Sequence, residues 1–294
     1  MPTLTRRLAD GETILIDGAV GTELERQGVP MVQGVWSGDA ARTHGDHLKQ
    51  VHLAHIEAGA ELIIANTYAS SRHLLEFGDL GEHFEAINRV AVEIALDARR
   101  ESGNNNVVVA GSMSTSQQGG PFPPIEAARR NFADQAKIIA DAGADMIVLE
   151  MMRDIDQTDA CLSGALATGL PVWLGWSCII DAERGPNEPM LFNGDVTLRD
   201  AMASIDDRGV ELVAIMHTEV VDIDPCLDVL DEVWEGPVGI YAHSGEFVHP
   251  NWIFNDVISI DDYAHAVQGW HERGVQVLGG CCGISPDHIA ALSF

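Results

Sequence analysis

Lysine is almost missing from this chain: Lys49 and Lys137 are the only two in 294 residues. Basic residues number 17 against 45 acidic ones, a formal charge of −28. Nucleic acids and anionic lipid surfaces are held by cationic side chains that neutralise phosphate, so this balance argues against both as partners. Its plainest reading is an adaptation to salt or a habit of the source proteome, and it bears on solubility and partners, not on fold. No apolar run approaches the roughly 20 residues that a bilayer-spanning helix needs. The first ten residues carry Arg6 and Arg7 but no apolar stretch with a small-residue cleavage site. No secretory signal is read there, and a cytoplasmic location is the expectation. No Lys- or Gly-rich phosphate loop is found, so a nucleotide cofactor is not expected. Cysteines are few and odd in number, five in all, which argues against a disulfide framework. Cys161, Cys178 and Cys226 stand alone, whereas Cys281 and Cys282 are adjacent between glycines. Neighbouring cysteines rarely bridge each other, so that pair needs another explanation.

What the chain does contain is a rhythm. Short Val/Ile/Leu-rich segments at 13–17, 62–66, 107–111, 146–150, 172–177, 212–216, 238–241 and 275–279 read as strands. Continuous apolar runs of this kind suit strands buried on both faces of a parallel sheet. Helical patterns lie between them, such as 47–58, 84–100, 125–142, 156–167, 197–207 and 260–273. Gly59, Gly143, Gly209 and Gly274 precede strands two, four, six and eight, where a helix cap is expected. Eight strand–helix units at this length predict one closed (β/α)8 TIM barrel, a single domain over residues 1–294. Loop-like stretches at 114–124, 181–193 and 245–257 follow strands three, five and seven. In a barrel they overhang the C-terminal mouth, where active sites sit.

The strand ends are the most informative positions. In order they deliver Asp17, Asn66, Ser112, Glu150, Ser177, His217, His243 and the Cys281–Cys282 pair. A purely structural origin would scatter such groups over both ends of the barrel. His217, Cys281 and Cys282 form a soft donor set of one imidazole and two thiols, a normal zinc set with a fourth position open. They lack the local spacing of a zinc finger. The competing reading is that the cysteines are small buried apolar groups and His217 a satisfied core residue.

Several segments resemble one family in order along the chain. Gly279-Gly280-Cys281-Cys282-Gly283 looks like the Gly-Gly-Cys-Cys-Gly signature of the homocysteine S-methyltransferases. Asp17-Gly18-Ala19-Val20-Gly21-Thr22 is similar to the family's opening segment, and Ala58-Gly59-Ala60 with Asn66-Thr67-Tyr68 to its second-strand stretch. Ala142 to Glu150 resembles the fourth-strand glutamate segment, and Tyr241-Ala242-His243-Ser244-Gly245-Glu246 a Tyr-Pro-Asn-Ser-Gly-Glu stretch. The resemblance runs from residue 13 to 290. It implies a Zn2+ at the mouth held by three thiolates, with homocysteine sulfur as the exchangeable ligand. Two thiolates map onto Cys281 and Cys282. The third maps onto His217, so this chain departs from the pattern at a metal ligand. Asp17 and Glu150 map onto the acidic grip on the substrate amino group, although either could instead be a structural cap. His243 stands where the family has Asn, and 112–115 replaces a Gly-containing turn.

The expected substrates are a small-molecule thiol acceptor and a sulfonium or quaternary ammonium methyl donor. No cobalamin- or folate-binding module is read in these 294 residues, so a free small-molecule donor is the expectation. Aromatic faces tolerate a cationic donor, and Trp36, Tyr68, Trp176 and Phe247 are candidates beside Asn66, Ser112, Ser177 and His243, with core packing as the first reading for any single one of the four rings. Two alternatives stay open from sequence: a zinc hydrolase or lyase with an activated water, and a non-catalytic ligand-binding barrel. Homo-oligomerisation is left open as well.

Overall fold

The computed structural model describes residues 3–180, 188–205 and 208–294. Eight parallel strands form one sheet: β1 (Ile14–Leu15), β2 (Leu62–Ala65), β3 (Val108–Ser114), β4 (Met146–Met152), β5 (Val172–Trp176), β6 (Leu212–Glu219), β7 (Val238–His243) and β8 (Val277–Leu278). Their order around the sheet is β1-β8-β7-β6-β5-β4-β3-β2. The ring closes between β1 and β2 through the parallel bridge Ile16↔Leu62. There Asp17 N–H donates to the Leu62 carbonyl at 3.0 Å and Glu61 N–H to Leu15 at 2.8 Å. The expected (β/α)8 barrel is what the chain forms.

Alternation along each strand explains why the apolar runs are continuous. Ile14, Ile16, Leu62, Ile64, Ala110, Met146, Val148, Trp173, Leu212, Ala214, Met216, Tyr241 and Val277 pack inside the barrel. Their neighbours Ile63, Ala65, Val109, Ile147, Leu149, Leu174, Val213, Ile215, Ile240 and Leu278 pack outward against the helices. Side chains in a strand alternate in direction, so both layers draw on the same segments. The flanking helices include α1 (Gly45–Glu57), α2 (Phe84–Ser102), α3 (Ile125–Asp141), α4 (Ile155–Leu166), α5 (Leu198–Ala203), α6 (Ile223–Val233), α7 (Ile260–Glu272) and α8 (Pro286–Ala290). The glycines before β2 and β4, Gly59 and Gly143, have φ of 105° and 100°, the left-handed geometry in which a side chain is strained.

Four expectations need correction. Trp176 alternates with Trp173, so it is buried in the outer layer and not at the mouth. Of 181–193, read as loop, Pro189–Leu191 pairs antiparallel with Cys178–Ile180, which precedes it, while residues 181–187 lie outside those described. Within 245–257, Glu246–Val248 pairs with Asn251–Ile253. Proline and glycine in both segments mask their short strands. The helix expected at 197–207 is shorter, Leu198–Ala203, with residues 206–207 outside those described. Among the described residues, no helix is long and apolar enough to cross a membrane.

Candidate metal centre

Simple alternation would turn His217 away from the barrel, because Met216 faces inward. The register between β6 and β7 breaks between Met216 and Glu219, and His217 adopts φ 44°. A bulge of this kind re-aims a side chain. Left-handed geometry at a non-glycine residue costs about 1–3 kcal/mol and clusters at functional sites. Ser177 Oγ donates to the His217 carbonyl at 2.7 Å, which fixes the bend. Cys281 and Cys282 follow β8. Cys281 N–H donates to the Ala242 carbonyl at 2.9 Å, and Ser244 N–H to the Cys282 carbonyl at 3.0 Å.

These backbones bring the three side chains together. Cys281 Sγ lies 3.7 Å from His217 Nδ1 and 3.9 Å from Cys282 Sγ. One ligand atom from each of the three falls within 4.8 Å of the others. A tetrahedral zinc with bonds of about 2.3 Å to sulfur and 2.0–2.1 Å to nitrogen has edges of roughly 3.6–3.8 Å between ligands. The observed separations and the soft donor set therefore fit such an ion. The hydrogen bond that Cys281 donates to Cys282, and then burial, push the Cys281 thiol well up. Burial, then His243, pushes the His217 imidazole well down, so its neutral form offers a lone pair. His243 lies against His217, ring centroids 4.4 Å apart, and its Nε2 is 3.0 Å from Glu219 Oε1.

The cluster faces a cavity of about 620 Å3 at the C-terminal mouth. Asn66, Tyr68, Glu150, His217, His243, Cys281 and Cys282 all line it. Asn66 is held by Ser37, and the Tyr68 hydroxyl donates to Met151 Sδ at 2.7 Å. Ser112, Ser177 and Asp17 stand behind the wall. Ser112 Oγ donates to a Glu150 carboxylate oxygen, and Asp17 Oδ2 accepts the Ile64 N–H at 2.7 Å. Burial pushes Glu150 up to about 7, opposed by the Ser112 hydrogen bond. Burial also pushes Asp17 well up, with the Glu150 charge adding to it.

Several groups at the mouth carry little signal in the sequence, among them Phe192, Trp252, Glu219 and Arg153. Phe192 and Trp252 join Trp36 and Phe247 in its aromatic wall, with Trp252 and Phe247 centroids 6.3 Å apart. Both sit in segments read as loops. Glu219 and Arg153 also line the cavity, one just past the His217 bend and the other just past β4. Only their position beyond a strand end marks them in sequence.

A closed parallel barrel with acidic, aromatic and soft metal-binding groups at its C-terminal mouth defines a barrel enzyme of the mouth-active kind. The homocysteine S-methyltransferase family model matches residues 14–293. The chain belongs to that family and is a methyltransferase. It is 26% identical to a selenocysteine Se-methyltransferase of Brassica oleracea var. italica, over 96% of this chain and 88% of that one. It is 24% identical to the homocysteine S-methyltransferase YbgG of Bacillus subtilis, over 95% of this chain and 93% of that one. Among solved structures, the metallated homocysteine methyltransferase MmuM of Escherichia coli superposes with a TM-score of 0.78 at 25% identity, covering 98% of both chains.

Proposed function

We propose that this chain transfers a methyl group from a small sulfonium or quaternary ammonium donor, such as S-methylmethionine or betaine, to homocysteine, giving methionine. Zn2+ is the metal in this reading, and the cytoplasm its setting. The observation that carries it is the meeting of His217, Cys281 and Cys282 at one cavity wall. Bound by these residues, Zn2+ supplies the deprotonation of an incoming thiol, whose thiolate is the nucleophile.

The chain's own groups supply the rest. Glu150, oriented by Ser112, offers a negative charge to the acceptor's ammonium group. Asp17 acts one layer behind, tying β1 to β2. Trp36, Tyr68 and Phe247 give a cationic donor aromatic surface. Transfer forms a bond from acceptor sulfur to the methyl carbon while the donor's C–S or C–N bond breaks. That electron pair leaves with the donor, which becomes neutral at that atom. In-line approach at about 3–3.5 Å is what the cavity walls must enforce. With one neutral imidazole and two thiolates, the cation and its protein ligands sum to zero charge, against −1 for three thiolates. This makes the acceptor sulfur less electron-rich, and alters rate or acceptor choice.

Incubating the purified protein with homocysteine and, separately, betaine, S-methylmethionine or dimethylsulfoniopropionate tests this by measuring methionine. One donor at least should give stoichiometric product. Donor breakdown at an equal rate without any thiol would instead favour a hydrolase or lyase.

A further inference from the structure

Among the described residues, three carboxyl groups line the cavity, Glu150, Glu219 and Glu246, with three histidines and one guanidinium, Arg153. Arg153 follows Met152, the last residue of β4. It precedes Asp154, whose side chain caps α4 by accepting the Gln157 N–H at 2.9 Å. The backbone is thus fixed on both sides. The guanidinium is poorly satisfied. Nη2 donates to the Thr115 carbonyl at 3.3 Å, while Nε is buried with no partner. Arg7, Arg42, Arg129, Arg208 and Arg273 all pair with carboxylates. Among the described residues, none forms an ion pair with Arg153. Asp154 next to it eases the charge without pairing with it, and a partly buried guanidinium with no paired carboxylate still favours a ligand that supplies one. A guanidinium fork matches a carboxylate through two parallel hydrogen bonds.

We propose that Arg153 anchors the carboxylate of the methyl donor, so that the donor is an onium compound carrying a carboxylate. This rests on the methyl-transfer reading above. Depth in the barrel assigns the group to the donor. Arg153 follows Glu150 by three residues at the C-terminal end of β4, past the bend at Met151, and it is half-buried where Glu150 is buried, so it stands nearer solvent. Its partner Thr115 belongs to the segment after β3, whose next residue, Ser116, also lines the cavity. The acceptor reaches inward to the Cys281 pair and Glu150, leaving this outer tier to the second substrate. The donor is then held at two ends, its cation by aromatic rings and its carboxylate by Arg153. Arg153 determines specificity without touching the reacting atoms.

The test compares dimethylsulfoniopropionate with its methyl ester, by calorimetry and by KM, on the full chain. The wild type should bind the acid at least tenfold more tightly than the ester. Arg153→Met should bring that ratio near one by weakening the acid alone, with the KM for homocysteine unchanged. Arg153→Lys keeps the charge without the fork and should fall between. Equal weakening of acid and ester in Arg153→Met, or a rise only in the KM for homocysteine, overturns the proposal. Should Arg153→Met fail to fold, the wild-type ratio decides, since a value near one refutes the anchor. Binding is read apart from turnover. A wild type that prefers the acid but makes no methionine contradicts the methyl-transfer reading and supports the Arg153 site. One that turns over both donors equally well contradicts this proposal alone.

Discussion

Replacing Glu150 with glutamine removes a carboxyl group that the fold keeps buried at 8% exposure. Burial holds that group at about 7 against a reference of 4.5. A carboxyl raised on folding binds its proton more tightly in the native than in the unfolded chain. Its contribution to stability is present below pH 4.5 and is lost as pH rises to about 7. The difference in proton affinity amounts to roughly 3 kcal/mol. Urea unfolding of the wild type and Glu150→Gln across pH 4.5–8 reads the effect of this carboxyl together with that of Asp17, which feels the Glu150 charge, while groups not coupled to Glu150 cancel in the difference. Relative to the variant, the wild type should lose most of that 3 kcal/mol over the window and run level above it. The same carboxyl must ionise to hold an ammonium group. The wild-type KM for homocysteine should therefore fall as pH rises toward 7, and that slope should vanish in Glu150→Gln. Parallel stability curves with an unaltered KM profile would show that Glu150 is neither raised nor facing the acceptor.

His217→Cys restores a third thiol at the bend of β6. It should keep one metal per chain and change the rate of methyl transfer to homocysteine, read by single-turnover product formation. An identical rate would mean that ligand charge does not govern the nucleophile. Gly111→Ala places a Cβ 2.1 Å from Ile139 Cγ2, between β3 and α3. It should lower stability by about 1–3 kcal/mol, seen as a lower Tm, and it should cost less in an Ile139→Ala background, which lacks Cγ2, than in the wild type.

The eight strands were legible because each is apolar on both faces, which only a sheet buried between layers requires. Their ends were less so. β1 and β8 are only two residues long, while β6 and β7 run on to Glu219 and His243. Backbone pairing at the mouth decides such limits, and it leaves no trace in composition. Six helical patterns stood out, but α6 was not among them, with Pro225 in its first turn. The position of His217 shows what sequence withholds. Its strand and spacing were readable, yet alternation alone would point it at the helices, and a bulge with φ 44° turns it to the cysteines. Trp176 failed for the mirrored reason, since no bulge turns it and it stays in the outer layer. Trp252 and Phe192 were hidden because Pro and Gly around them read as loop. Arg153 gave no sequence signal beyond its place after a strand, because the feature that singles it out is a missing partner.

Zinc content per chain in the wild type, Cys281→Ala and Cys282→Ala, measured by mass spectrometry after exhaustive dialysis, tests the central claim most directly. The account predicts close to one zinc in the wild type and a large loss in each variant, with circular dichroism unchanged. Equal zinc in all three proteins, or none in a wild type that still methylates homocysteine, would contradict it.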